Sequence, residues 1–140
     1  MMITSRACAS LALLGALFAI TSAAAAPLPG SDAAAAQTIS VDMTNYAFAP
    51  NTLHLRANSP YRLELRNTSH SGHSFSARLL FAVARVAAAD QSKVVDGEVE
   101  VDGGQTVDVN LTVVTPGTYK FRCTHFLHSA FGMTGEAIVQ

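Results

Sequence analysis

Near the end of the 140-residue chain, the run Cys123-Thr-His-Phe-Leu-His128-Ser-Ala-Phe-Gly-Met133 sets a thiol, an imidazole and a thioether at equal steps of five. Soft sulfur donors combined with imidazole are the set that a mononuclear copper ion prefers. Its usual site holds two imidazoles and one thiolate in a near-trigonal plane, with a weak axial donor. The run supplies all of these but one imidazole. His73, in Gly72-His73-Ser74-Phe75, is the candidate for it, and His70 is the nearest rival. His125, two residues after Cys123, is a spare donor that competes with Met133 for a place at the ion. A lone cysteine is more often an inert small hydrophobe; here the ligand-spaced histidine and methionine favour a metal role.

The start of the chain sets the redox compartment. Arg6 gives a positive leader, Leu11 to Ile20 an apolar core, and Ala23 to Ala26 a run of small residues, the layout of a secretory signal peptide over residues 1–25. Cleavage is expected after Ala25, because a cut after Ala26 would leave Pro27 first. The competing reading is an uncleaved anchor, since the apolar stretch is about 20 residues long, enough to span a bilayer. Its alanine-rich tail and the flanking Pro27 and Pro29 favour cleavage, and stable membrane insertion is not expected. Cys8 leaves with the signal, so Cys123 remains as a single thiol in an oxidising compartment, expected to be the periplasm. An unpaired cysteine there implies a free thiol, an intermolecular bridge or a ligand. The roughly 115 residues that remain suffice for one domain with one core, and a monomer is expected. A formal net charge of −1 for the whole chain gives no reason to expect nucleic-acid binding.

Residues 26–37, rich in Ala, Pro, Gly and Ser, read as a flexible leader. From Thr38 onward, over residues 38–140, the pattern has period two. Ile39 and Val41, Leu53 and Leu55, Leu63 and Leu65, Val99 and Val101, and the series Val107 to Val113 all alternate with polar neighbours. Turn chemistry separates them at Ala57-Asn-Ser-Pro60, Asn67-Thr-Ser and Asp102-Gly-Gly104. Short antiparallel strands of this number predict an all-β sandwich or barrel. The stretch Ala77 to Ala89 departs from this pattern. It is dense in helix formers, with Leu79, Leu80, Val83 and Val86 on one face, and predicts a short helix inserted between strands to cover one side. After the turn at Pro116-Gly117, Tyr119, Phe121 and Cys123 share the inward face of a strand while Lys120 and Arg122 face out. His54 falls on a solvent face, Met43 reads as filler, and Phe126 and Phe131 read as packing around the metal.

Pro116-Gly-Thr-Tyr-Lys-Phe-Arg-Cys123 resembles the cysteine strand of plastocyanins, and the Cys-x4-His-x4-Met loop resembles that of auracyanins. Tyr46-Ala-Phe-Ala-Pro50-Asn-Thr-Leu53 is similar to an early strand of bacterial relatives, and Gly72-His-Ser-Phe75 to the segment carrying their upstream histidine. On these residues, from about Thr38 to Val139, the chain resembles the cupredoxins, the small blue copper proteins. The resemblance implies an eight-stranded Greek-key β-sandwich (cupredoxin-like) and one-electron transfer by a Cu(II)/Cu(I) couple. It also implies His73, Cys123 and His128 in the plane with Met133 axial. Ser74 stands where many members carry an asparagine that braces the cysteine loop, and the shorter hydroxyl is expected to do less. His125 is unusual inside such a loop and would make the site less like blue copper if it replaced or joined Met133.

The function expected is that of a periplasmic one-electron carrier, docking briefly on an unidentified periplasmic redox partner through a patch around His128. The competing reading is a copper carrier or sensor that passes Cu(I) onward, with His125, His70 and Met133 as extra donors. An enzyme using Cys123 as nucleophile, with His125 or His128 as base, lacks a third member and an oxyanion element, so no enzymatic activity is expected.

Overall fold

The computed structural model describes residues 35–140. The expected signal peptide, its cleavage point and most of the expected leader lie outside the described residues. Among the described residues, ten strands form two five-stranded sheets packed face to face. The first sheet comprises β1 (Gln37–Thr44), β2 (Ala47–Ala49), β4 (Pro60–Asn67), β6 (Ala84–Val86) and β8 (Thr106–Val113), in the order β2-β1-β4-β8-β6. The second comprises β3 (Thr52–Leu55), β5 (His73–Ser76), β7 (Glu98–Val101), β9 (Gly117–Arg122) and β10 (Thr134–Val139), in the order β3-β10-β9-β5-β7. Two parallel pairs, β1 with β4 and β3 with β10, break an otherwise antiparallel pattern. The sandwich expected from the alternation is therefore present, with two three-residue strands, β2 and β6, beyond the eight implied by the resemblance.

Alternation explains the layers. Tyr61, Leu63 and Leu65 of β4, Val109, Leu111 and Val113 of β8, and Val41 and Met43 of β1 are buried between the sheets. From the other side come Leu53, Leu55, Val99, Val101, Phe121, Ala137 and Val139. Met43 is thus core, and His54 points to solvent between Leu53 and Leu55 as expected. The floor beneath the ligand loop is aromatic. Phe121 lies 4.6 Å from Phe75 and 5.2 Å from Phe48, centroid to centroid, with the Phe48 ring edge-on. Gly135 pairs directly with Phe121 across β9 and β10. A Cβ at position 135 would overlap both the Phe121 ring and the Asn51 carbonyl, so only glycine lets that ring lie flat.

The helix expected over Ala77 to Ala89 is cut to five residues, α1 (Arg78–Ala82). The chain then runs as β6 along the free edge of β8 and continues into a 3-10 turn over Ala88–Lys93. Helix propensity there is high, but so short a helix has little stability of its own. The open edge of β8 offers backbone partners, and the β-branched Val86 suits a strand. The buried side chains of α1 are Leu80 and Phe81, while Leu79 is 72% exposed, contrary to the expected face.

A candidate metal centre at one end of the sandwich

Two strands that part company make room for the site. β5 and β9 pair only at Ser76 and Arg122. Beyond that pair the two backbones separate toward the loop end, and their side chains meet instead. The Ser74 hydroxyl accepts the Thr124 N–H at 2.9 Å, and the Ser74 N–H points at Cys123 Sγ at 3.5 Å. His73 opens β5 and faces inward, in register with Val101 of β7. Cys123 follows the last residue of β9, and both side chains are fully buried.

The loop from Thr124 to Gly132 folds back on itself through backbone bonds. His128 N–H donates to the His125 carbonyl at 3.1 Å, Phe131 N–H to that of Leu127 at 3.0 Å, and Met133 N–H to that of His128 at 3.0 Å. These turns aim the His128 ring at Cys123. They also send Phe126 and Phe131 outward, 87% and 63% exposed, so the expected packing of these two rings around the metal is not found. Cys123 N–H donates to the Met133 carbonyl at 3.1 Å, which continues the β9–β10 ladder by one pair. Met133 therefore lies directly across from Cys123, on the same inward face and fully buried.

The donor atoms of His73, Cys123 and His128 lie within 4.8 Å of one another. The Nδ1 atoms of the two histidines are 3.1 Å apart, and Cys123 Sγ is 3.4 Å from that of His128 and 3.9 Å from that of His73. A point equidistant from three atoms so spaced is about 2.0 Å from each, within the range of metal–imidazole and metal–thiolate bonds. The donor set thus fits a single soft-to-borderline metal ion. Burial holds His73 below the ordinary histidine pKa, helped by the nearby His128 and His125, which keeps the imidazole in the neutral, ligating form. His73 Nε2 is buried and meets no polar partner among the described residues, so the only polar neighbours of this ring are on its Nδ1 side.

The other donors weighed in the sequence lie apart from this cluster. His125 Nε2 is bonded to Glu100 Oε2 at 3.0 Å, and its ring stacks on His128 with centroids 5.6 Å apart. It flanks the triad without contributing to it. His70 is exposed in the loop before β5. That loop is held by Asn67, a residue whose role the turn-like reading of its neighbourhood missed. Asn67 Nδ2 donates to the carbonyls of Ser71 and Val101, and Oδ1 accepts from the Ser69 N–H and hydroxyl. The signal was present, because Asn67 shares the inward phase of Tyr61, Leu63 and Leu65. Tyr46, whose residue type alone signals no role at the site, stands with its ring edge-on to both His128 and Phe131, centroids 5.2 Å away. The Ser74 hydroxyl, expected to brace weakly, reaches both the backbone and the hydroxyl of Thr124 at 2.9 Å.

Fold and donor set together define a β-sandwich protein with a candidate His-Cys-His mononuclear metal centre at one end. The sequence matches the model of the cupredoxin-like domain over residues 10–139, and the chain belongs to that family. Among solved structures, the dithionite-reduced auracyanin of Roseiflexus castenholzii is similar, with 20% identity and a TM-score of 0.57 over 75% of this chain and 98% of that one. Auracyanin B shares 24% identity with a TM-score of 0.54, covering 75% and 89% of the two chains. Auracyanin A of Chloroflexus aurantiacus, a "blue" copper protein, shares 17% with a TM-score of 0.52, covering 74% and 99%. At such identities the likeness is one of fold. Comparison with curated proteins gives no match.

Proposed function

We propose that this chain is a one-electron carrier in which His73, Cys123 and His128 would hold a single copper ion, with Met133 as a further, weaker donor. The observation that carries the proposal is the convergence of two Nδ1 atoms and one Sγ within 4.8 Å in a member of the cupredoxin-like family. Copper bound there supplies a Cu(II)/Cu(I) couple suited to single-electron exchange. Support for Met133 comes from its place opposite Cys123 and its complete burial. His73 and Cys123 are anchored by strands rather than by a free loop, so the cage resists rearrangement when its charge changes. His128 is half-buried with exposed Tyr46 edge-on to it, and Phe126, Leu127 and Phe131 of its own loop are exposed as well. An apolar rim of this kind suits brief docking on a redox partner, with the imidazole edge as the exit. The signal-like residues 1–25 support a periplasmic setting.

Absorption and electron paramagnetic resonance spectra of the copper-loaded protein test the proposal. A strong visible thiolate-to-copper band is expected, and Cys123→Ser is expected to abolish it. A loaded protein without that band, or a band that survives the substitution, overturns the reading. A second reading, a copper carrier without electron transfer, draws on His125, which stacks on His128 as a donor outside the triad. Fast release of copper to a chelator with no reversible voltammetric wave would favour it.

A further inference from the structure

Three hydroxyl and carboxylate groups form a chain that ends beside the candidate ligand Cys123. Thr124 Oγ1 lies 2.7 Å from Glu98 Oε1, and Ser74 Oγ lies 2.9 Å from Thr124 Oγ1. Ser74 Oγ is also 3.9 Å from Cys123 Sγ. The directions of these bonds are fixed by proton inventory. A carboxylate only accepts, so the single Thr124 hydroxyl proton goes to Glu98. Thr124 Oγ1 is then an acceptor toward Ser74, and the single Ser74 hydroxyl proton goes to Thr124. Nothing is left on that hydroxyl to donate to sulfur. The thiolate keeps one donor from this segment, the Ser74 N–H at 3.5 Å.

Glu98 is well placed to set this polarity. It pairs with Ser76 across β5 and β7, on the outer face of the sheet, where Thr124 emerges from the end of β9. Burial raises its carboxyl pKa, but side-chain hydrogen bonds, that from the Thr124 hydroxyl first among them, more than offset this, and the group lies below the ordinary glutamate value. The ionised form is therefore the resident one at neutral pH.

We infer that Glu98 is a positioning residue for the metal centre, acting through Thr124 to turn the Ser74 hydroxyl away from the Cys123 sulfur and so limit the hydrogen bonds that the thiolate receives. The inference rests on the copper reading above. A thiolate with fewer hydrogen bonds is a stronger donor and favours the oxidised ion, so Glu98 holds the reduction potential down. Glu98→Gln adds an N–H donor at this position; when the amide turns that N–H to Thr124, the Thr124 proton turns to Ser74 and the Ser74 proton becomes free for sulfur.

The test is voltammetry and visible spectroscopy of the copper-loaded wild-type protein, Glu98→Gln, Ser74→Ala and the double variant. Glu98→Gln is expected to shift the couple toward Cu(I) by about tenfold, or about 59 mV for one electron, and to move the thiolate-to-copper band. In the Ser74→Ala background the same substitution is expected to change neither. Thr124→Val, which removes the link without altering charge, is expected to shift the couple in the same direction as Glu98→Gln. An unchanged potential in both Glu98→Gln and Thr124→Val overturns the inference. So does an equal shift with and without Ser74, which would mark a simple charge effect. A wild-type protein lacking the visible band would instead overturn the copper reading itself.

Discussion

At the scale of single residues, the molecule separates groups that can ligate from groups that only hold ligands in place. Asn67 belongs to the second kind, tying Ser69, Ser71 and Val101 together just before His73. Asn67→Ala would leave the buried Ser69 N–H without its side-chain acceptor and remove the amide's bonds to the Ser71 and Val101 carbonyls. The expected cost is about 2–3 kcal/mol, read by chemical denaturation of metal-free protein. The residue scale is also where the sequence was most legible. Cys123, His128 and Met133 announce themselves because their spacing is local and a loop between two strands preserves it. His73 was marked only by its Gly-His-Ser-Phe segment, with His70 as a rival, since a ligand fifty residues away leaves no spacing to read. His125 was ambiguous for the same reason that its loop is informative. Donor types are visible in a sequence, but the Glu100 carboxylate that engages this ring lies on another strand.

Between residues and the whole lie the elements, and here composition misled at α1. An alanine-rich run looks helical until an unpaired strand edge lies beside it, and no local pattern reports that edge. β5 was hidden for the opposite reason. All four of its residues, His73-Ser-Phe-Ser76, are buried, which erases the alternation that reveals other strands. The β9–β10 pair, by contrast, was readable from its turn and its phase, and it carries a prediction. Gly135→Ala places a methyl group against the Phe121 ring and the Asn51 carbonyl. A loss of about 1–3 kcal/mol is expected, measured by thermal or denaturant unfolding, together with a disturbed visible band if the loop shifts with the strand.

For the molecule as a whole, acid stability should track a carboxylate outside the candidate metal centre. Asp90 accepts the N–H and side-chain amide of Asn110 and pairs with Lys93, which lowers its pKa to about 2, the Lys93 hydrogen bond being the largest cause. A carboxyl pKa lowered on folding stabilises the native state above the unfolded value near 3.8. That contribution falls away as pH drops through about 2. Denaturation midpoints of the wild type should therefore decline between about pH 4 and pH 2, and Asp90→Asn should flatten the decline in that window. An equal slope in both proteins would refute the assignment. Metal binding acts on global stability as well. An ion held by the folded state alone raises its stability by mass action, by about 4 kcal/mol at a thousandfold excess over its dissociation constant. Removing copper with a chelator should accordingly lower the melting temperature.

The parting of β5 from β9 after one pair, Ser76 with Arg122, has a mechanical consequence. His73 stands on one lip of that fork, while Cys123 and His128 stand on the other. An ion bound to all three spans the fork like a rivet. Without it, opening at this end is resisted chiefly by side-chain bonds such as that from Thr124 to Ser74. Amide hydrogens near the fork, those of Ser74 and Thr124 first, should exchange with deuterium faster in metal-free protein, while β4 and β8 at the centre of the other sheet keep their protection. A metal-independent pattern would mean that the fork is closed by its hydroxyls alone.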